Sequence, residues 1–377
     1  MATPAAVIPS AEFRKELKAR GGASAARCYQ CATCSSVCEL SPEDAPFPRR
    51  QMVLAQWGLA DQLAGDPAVW LCHQCNDCSV RCPREAKPGD VMQAVRSLTV
   101  EKLATPHFMG SLVAKARTTW PLLVGIPILF WILYLAALGR FEHMAEVGPN
   151  AGWDHFVPHW MIYSVYFPVA IFVTFVAFSS GMRFWKLMGA RASRSGSFVS
   201  GLTDALKDVA THKRFASCDA ARPRRWGHFW LLWGFMGAAI TSAFLIVVLY
   251  VPPFQEPIPL PLSHWIKILG NLSAVALVVG GAWLWANRVQ DGNRTGATTA
   301  FDSFFLYVVL AVIATGCFVE AGRFVLAPQV ASWLYVLHLG VVLCLFITFP
   351  YSKFAHLLYR TLAMVHERMS TPDEATD

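Results

Sequence analysis

The stretch Cys28-Tyr29-Gln30-Cys31-Ala32-Thr33-Cys34-Ser35-Ser36-Val37-Cys38 is answered further along by Cys72-His73-Gln74-Cys75-Asn76-Asp77-Cys78-Ser79-Val80-Arg81-Cys82-Pro83, so eight of the eleven cysteines repeat one spacing, C-x₂-C-x₂-C-x₃-C. Such a run suits a cubane cluster, because three thiolates on one tight loop reach three corners and the fourth comes from the other loop. Crossed ligation therefore predicts Cys28, Cys31, Cys34 and Cys82 on one [4Fe–4S] cluster, and Cys72, Cys75, Cys78 and Cys38 on a second. Tetrahedral Cys₄ zinc also uses C-x₂-C pairs, but it does not explain the four-cysteine cadence or the closing Cys-Pro. Disulfides require an oxidising compartment, and no secretory signal is expected ahead of the motifs: Glu12, Arg14, Lys15 and Lys18 break the first apolar run.

Outward from the cysteines, the 377 residues are 55% hydrophobic and only 15% charged, too apolar for an ordinary soluble surface. The excess lies beyond Arg117, where charge-free windows run over 118–139, 155–182, 226–255, 268–287, 303–319 and 324–352. A helix needs roughly 20 apolar residues to cross a bilayer, so six membrane helices are expected, near 118–139, 157–182, 226–251, 264–287, 301–325 and 331–356. Segment 182–225 carries ten Lys/Arg against three acids, whereas the opposite connections contain Arg140 alone. The positive-inside rule then places both termini in the cytoplasm of a multi-pass inner-membrane protein, and the basic balance needs no nucleic acid to explain it. Of Trp120, Trp131, Trp153, Trp160, Trp226, Trp230, Trp265 and Trp333, near window ends, most read as interfacial anchors.

Within residues 1–105, Met52, Val53, Ala55, Gln56, Leu59 and Leu63 form a helical stripe over Arg49–Ala64. Asp66-Pro67 can start a short helix, and Pro88-Gly89-Asp90 opens another through Met92, Val95, Leu98 and Leu103. Strand signals are lacking. The expected fold class is all-α: a helical two-[4Fe–4S] ferredoxin domain (1–105), then a six-helix transmembrane cytochrome b domain (106–377).

Histidines decide where electrons could go next, since a buried imidazole is costly unless its nitrogen is used, and haem iron uses it. His338 and His356, 18 residues apart, would share one face of a single last helix, about 27 Å apart at 1.5 Å per residue. His228, opening the third helix, is the expected partner of His356 for an inner haem b. Gly234 and Gly237 on the same helix could admit a macrocycle or serve helix packing. For an outer haem, His338 would pair with His159, or alternatively His264. Lys267 and Glu320, with Arg323, share that outer level, so His264, Lys267 and Glu320 are candidates for a quinone pocket in which Glu320 accepts a proton. An interfacial Glu320–Arg323 pair is the plainer alternative. His73 reads as a hydrogen-bonding neighbour of a cluster, and Cys218, Cys317 and Cys344 as isolated thiols. No glycine-rich nucleotide loop occurs, so a flavin would sit on another subunit.

The segment Ser41-Pro42-Glu43-Asp44-Ala45-Pro46-Phe47-Pro48-Arg49-Arg50, together with both cysteine runs, resembles the membrane subunit of the quinone-interacting membrane-bound oxidoreductase complex. In that family a heterodisulfide-reductase-like two-cluster ferredoxin is fused to a haem b membrane protein. The resemblance implies menaquinone as substrate, heterodisulfide-reductase-like flavoprotein partners, and adenylylsulfate reductase in sulfate reduction as eventual acceptor. Cys38 is followed by Glu39 where that family has proline, which loosens the turn. The membrane half also resembles the nitrate-reductase gamma family, whose late helix supplies two haem histidines, as His338 and His356 would. An earlier helix there supplies two more; His228 matches the first, and Ala238 stands where the second is expected. A membrane-tethered redox sensor, or the membrane subunit of a related heterodisulfide-reductase-like complex, is the alternative function.

Overall fold

A computed structural model describes residues 8–42, 45–148, 152–189, 196–214, 222–290 and 299–370. Among them every regular element is helical. The N-terminal domain contains α1 (Ala11–Ala19), α2 (Thr33–Ser36), α3 (Arg49–Trp57), α4 (Ala60–Ala64), α5 (Pro67–Leu71), α6 (Asp77–Val80) and α7 (Pro88–Leu103). Asp66 caps α5 by accepting the Ala68 amide at 2.9 Å, with Pro67 preset at the first helical position. Met52, Met92 and Val95 of the expected stripes are fully buried. The stripe over Arg49–Ala64 is two helices, because α3 stops at Gly58 in the left-handed region (φ 71°).

After α8 (His107–Ala114), five long apolar helices follow: α9 (Ala116–Ala137), α10 (His159–Gly189), α12 (Arg222–Tyr250), α13 (Trp265–Gln290) and α14 (Ala300–Val325). With α15 (Pro328–Thr348) they make six helices long and apolar enough to cross a membrane. Two further helices, α11 (Phe198–Thr211) and α16 (Ala355–Ser370), lie against each other beside the N-terminal domain. Cys218 lies outside the described residues.

Two expectations change and one open alternative is decided. One continuous last helix over 331–356 is not formed. Phe349–Tyr351 is a 3₁₀ turn and α16 begins only at Ala355; Pro350, which has no amide proton, sits at the break. His338 and His356 therefore occupy different helices, and the five-turn spacing no longer sets their separation. Trp131 is not an interfacial anchor: it is completely buried midway along α9 and stacks on Tyr166. Gly234 and Gly237 take up helix packing, since a Cβ at the first would collide with Leu277 and one at the second with the Ser273 hydroxyl.

The core of the N-terminal domain does not end at residue 105. Phe184 and Met188 from the end of α10, and Tyr359 and Ala363 from α16, are buried in it. Trp70 stacks on Tyr359 with ring centroids 4.8 Å apart, and Phe184 meets both rings edge-on. This apolar seam fixes the cysteine domain against one end of the bundle, the near end below. The opposite end carries the starts of α10, α13 and α15.

Candidate functional site

Cys28, Cys31, Cys34 and Cys82 line one small pocket, the set that crossed ligation requires. Tight left-handed residues build its loop: Gln30 and Ala32 have positive φ, as do Gln74 and Asn76 at the same places in the second loop. Burial, reinforced by the charges of Cys72 and Cys75, pushes the Cys38 thiol up to about 11. The same cause raises Cys78, with Cys72, Cys75 and Cys38 as its charged neighbours. Cys82 of the second run thus lies with the cysteines of the first, and Cys38 of the first with those of the second. Four closely set thiolates would repel one another, and a cationic iron core held by them would relieve that repulsion. Among the described residues no group of three or more His, Cys, Asp or Glu side chains is placed to hold a single metal ion.

The two loops meet different surroundings. The first is open: Cys31 is exposed, Tyr29 is 70% exposed, and Arg84 lies over its ring at 4.2 Å. The second faces the near end of the bundle. Arg96 of α7 donates to the Val69 and Cys72 carbonyls, Arg224 of α12 to those of His73 and Gln74, and Arg360 of α16 reaches Nδ1 of His73 at 2.8 Å. His73 is buried there; burial first, and Arg360 second, hold its pKa down to about 2, so it is a neutral imidazole. Gln74 donates to Gln93, Gln93 donates to Asp302 at the start of α14, and Lys353 completes the line on Asp302 at 2.7 Å.

One turn from these arginines lie two of the expected haem histidines. His228 and His356 present their rings to each other with centroids 5.9 Å apart and planes at 85°. Nδ1 of His356 hydrogen-bonds the Lys353 carbonyl, which can only accept, so Nδ1 carries the proton and Nε2 the lone pair. Nδ1 of His228 is engaged with Nε2 of His212 at 2.9 Å. Ring orientation by a hydrogen bond to the other nitrogen is what a metal-binding histidine requires. His212, at the C-terminal end of α11, was not singled out by the sequence, because no spacing relates it to His228; only the packing of α11 brings it there.

His338 lies eleven residues into α15. Its Nδ1 is 2.9 Å from the Thr315 hydroxyl, whose proton is already given to the Ala311 carbonyl, so Nδ1 donates and Nε2 keeps its lone pair. Gly316 makes room for the ring, since a Cβ there would lie 3.2 Å from it. The expected partners are elsewhere. His159 opens α10 at the far end beside Tyr163, about 15 Å nearer that end than His338 by helical rise. His264 accepts the Ile266 amide on Nδ1 and turns Nε2 to Glu256 at 3.1 Å, so both nitrogens are spent. Neither histidine is brought to His338, and among the described residues no second bis-histidine site is composed. Lys267 pairs with both carboxylate oxygens of Glu320, at 3.1 and 3.2 Å, while Arg323 rests over Phe324; the alternative of a Glu320–Arg323 pair gives way to Lys267–Glu320.

Fold and site define a class: an all-helical iron–sulfur protein whose cysteine domain is seated on six helices of membrane-spanning length. Residues 24–86 match the 4Fe-4S dicluster domain family, and residues 141–377, more than half of the chain, match the family described as citrate utilization protein B. The chain belongs to the citrate utilization protein B family. It is 28% identical over 363 residues to the citrate utilization protein B of Escherichia coli, covering 90% of this chain and 88% of that one. Its cysteine domain is 39% identical over 108 residues to the C-type subunit of the H(2):CoB-CoM heterodisulfide,ferredoxin reductase of Methanothermobacter thermautotrophicus, spanning 28% of this chain and 58% of that protein. A protein of Archaeoglobus profundus that is itself similar to the heterodisulfide reductase C-type subunit is 38% identical over 106 residues, 28% of this chain and 53% of that one. No solved structure matches the chain.

Proposed function

We propose that the chain is the membrane electron-transfer subunit of a quinone-dependent oxidoreductase, joining a quinone pool to a soluble flavin- or iron–sulfur-bearing partner subunit. The observation that carries this reading is the junction at the near end. Arg224, four residues before His228, and Arg360, four residues after His356, both reach the Cys72–Gln74 loop, so one turn of helix separates each candidate haem ligand from the cluster loop. In this reading Cys72, Cys75, Cys78 and Cys38 hold the membrane-facing cluster, Cys28, Cys31, Cys34 and Cys82 the outward one, and His228 and His356 the axial positions of a haem b. Bound there, these groups supply one-electron redox chemistry. The chain itself supplies ligands, spacing and orientation: His212 and the Lys353 carbonyl set the imidazoles, and the Trp70–Tyr359 stack locks the two halves in register.

At the far end, Lys267, Glu320 and His264 are the titratable groups available to a quinone, menaquinone by the family resemblance. Glu320 would accept a quinol proton once Lys267 releases it, and His264 would pass a proton to Glu256. Positive charge on 182–225 and the cysteine domain's place at the near end support cytoplasmic termini. Heterodisulfide-reductase-like subunits are the proposed partners. Adenylylsulfate reductase and sulfate reduction rest on motif resemblance alone, whereas the similarity of the cysteine domain to heterodisulfide reductase components supports the partner. A reduced-minus-oxidised optical spectrum of the detergent-solubilised chain tests the reading: b-type bands that appear upon quinol addition support it, and a spectrum without them overturns it.

A further inference from the structure

The three arginines on the second cysteine loop come from three separate elements, α7, α12 and α16, and all address one hexapeptide. Arg96 holds the Val69 carbonyl at 2.8 and 2.6 Å and that of Cys72 at 2.6 Å. Arg360 lies 3.5 Å from the same Cys72 carbonyl and 2.8 Å from His73, and Arg224 is 2.7 Å from the Gln74 carbonyl. Carbonyl oxygens satisfy a guanidinium's donors without cancelling its charge. The acids whose charge reaches Arg96 and Arg360 are Asp302 and Glu367, and each carboxylate already holds another cation, Lys353 on the first and Arg214 on the second. At the first loop Arg49 and Arg84 also line the cysteine pocket, but there Cys31 is exposed to solvent. Arg27 is exposed and paired with Glu85 at 3.3 Å, and Arg84 lies on an exposed tyrosine.

We infer that Arg96, Arg224 and Arg360 make the cluster of the Cys72 loop the higher-potential member of the pair, so that an electron entering the cysteine domain settles on its membrane-facing side. Reduction of a [4Fe–4S]²⁺ centre to [4Fe–4S]⁺ adds one negative charge. Cations in a desolvated seam stabilise that charge far more than cations in water, because screening by solvent is weak there. The three residues act through the loop and are positioning and charge-setting groups, not ligands. The inference rests on the proposed reading in one respect, that the Cys72 loop holds a cluster.

An EPR-monitored redox titration of the purified full chain, with dithionite as the electron source, tests it. Cys75→Ser is expected to remove the centre that reduces first. Arg360→Gln and Arg96→Gln should lower the potential of that centre alone, Arg360→Lys should restore most of the shift, and Arg27→Gln should move neither centre. If Arg96→Gln fails to assemble clusters, the Gln and Lys variants of Arg360 decide the question. A Cys75→Ser protein that lacks the later-reducing centre, or Arg360→Gln that shifts both centres equally or neither, overturns the inference. Retention of both centres in Cys75→Ser would instead sink the cluster assignment beneath it.

Discussion

The same eleven-residue cysteine spacing occurs twice, and the two copies end in opposite environments. Beside the first loop stands Tyr29, 70% exposed; beside the second stands Trp70, 3% exposed and stacked on a helix that follows the membrane bundle. Ligand geometry is a local property, written into the spacing and the left-handed residues of each turn. Environment is not local: it comes from which surface of the domain α10 and α16 cover. A repeated motif therefore becomes a directional device, with one side toward the membrane and the other toward solvent, without any change in the motif itself.

Four measurements press on that contrast. The largest effect is loss of a whole centre: Cys38→Ser and Cys75→Ser should each remove the same EPR signal, and Cys31→Ser and Cys82→Ser the other. Should Cys38→Ser and Cys31→Ser extinguish one common signal, the loops do not exchange ligands. Next, His228→Ala and His356→Ala should each abolish one and the same b-type haem while both cluster signals persist; haem content by pyridine haemochrome and a redox titration read this out, and losses of different haems would dissolve the pair. His212→Ala, in the same experiment, should retain haem and shift only its potential.

Smaller still is the stability difference between the two aromatic neighbours. Truncation of a buried aromatic costs about 3–5 kcal/mol, so Trp70→Ala should lower Tm clearly and loosen the cysteine domain from the bundle, visible as new proteolytic cleavage between them. Tyr29→Ala removes only a surface stack with Arg84 and should stay within about 0.5 kcal/mol. Equal destabilisation by the two variants would mean that the first loop is also covered. The least effect is expected at the far end: Lys267→Met should leave clusters and haem content untouched and slow only haem reduction by a quinol analogue. Unaltered reduction kinetics would remove Lys267 from the quinone site.

Much of this molecule is decided by short-range chemistry, and that part is legible in the chain. Cysteine spacing dictates two multinuclear sites because the reach of a thiolate from a tight turn is short. Absence of charge over some twenty residues dictates a span, because a buried charge is expensive whatever its neighbours. The stripe through Met92 and Val95 follows from helical period alone. What sequence could not reach are the relations between segments far apart in the chain. His212 stands beside His228 only because α11 folds back along α16. Glu320 takes Lys267 instead of Arg323 because α13 and α14 are neighbours, and Trp131 is buried because α10 covers α9. His338 and His356 looked like one stripe because periodicity assumes an unbroken helix; Pro350 and the docking of α16 under the cysteine domain broke it. Spacing and composition settle what each segment can bind or bury, whereas which segment it meets depends on packing energies summed over the whole chain, and those exist only in the tertiary structure.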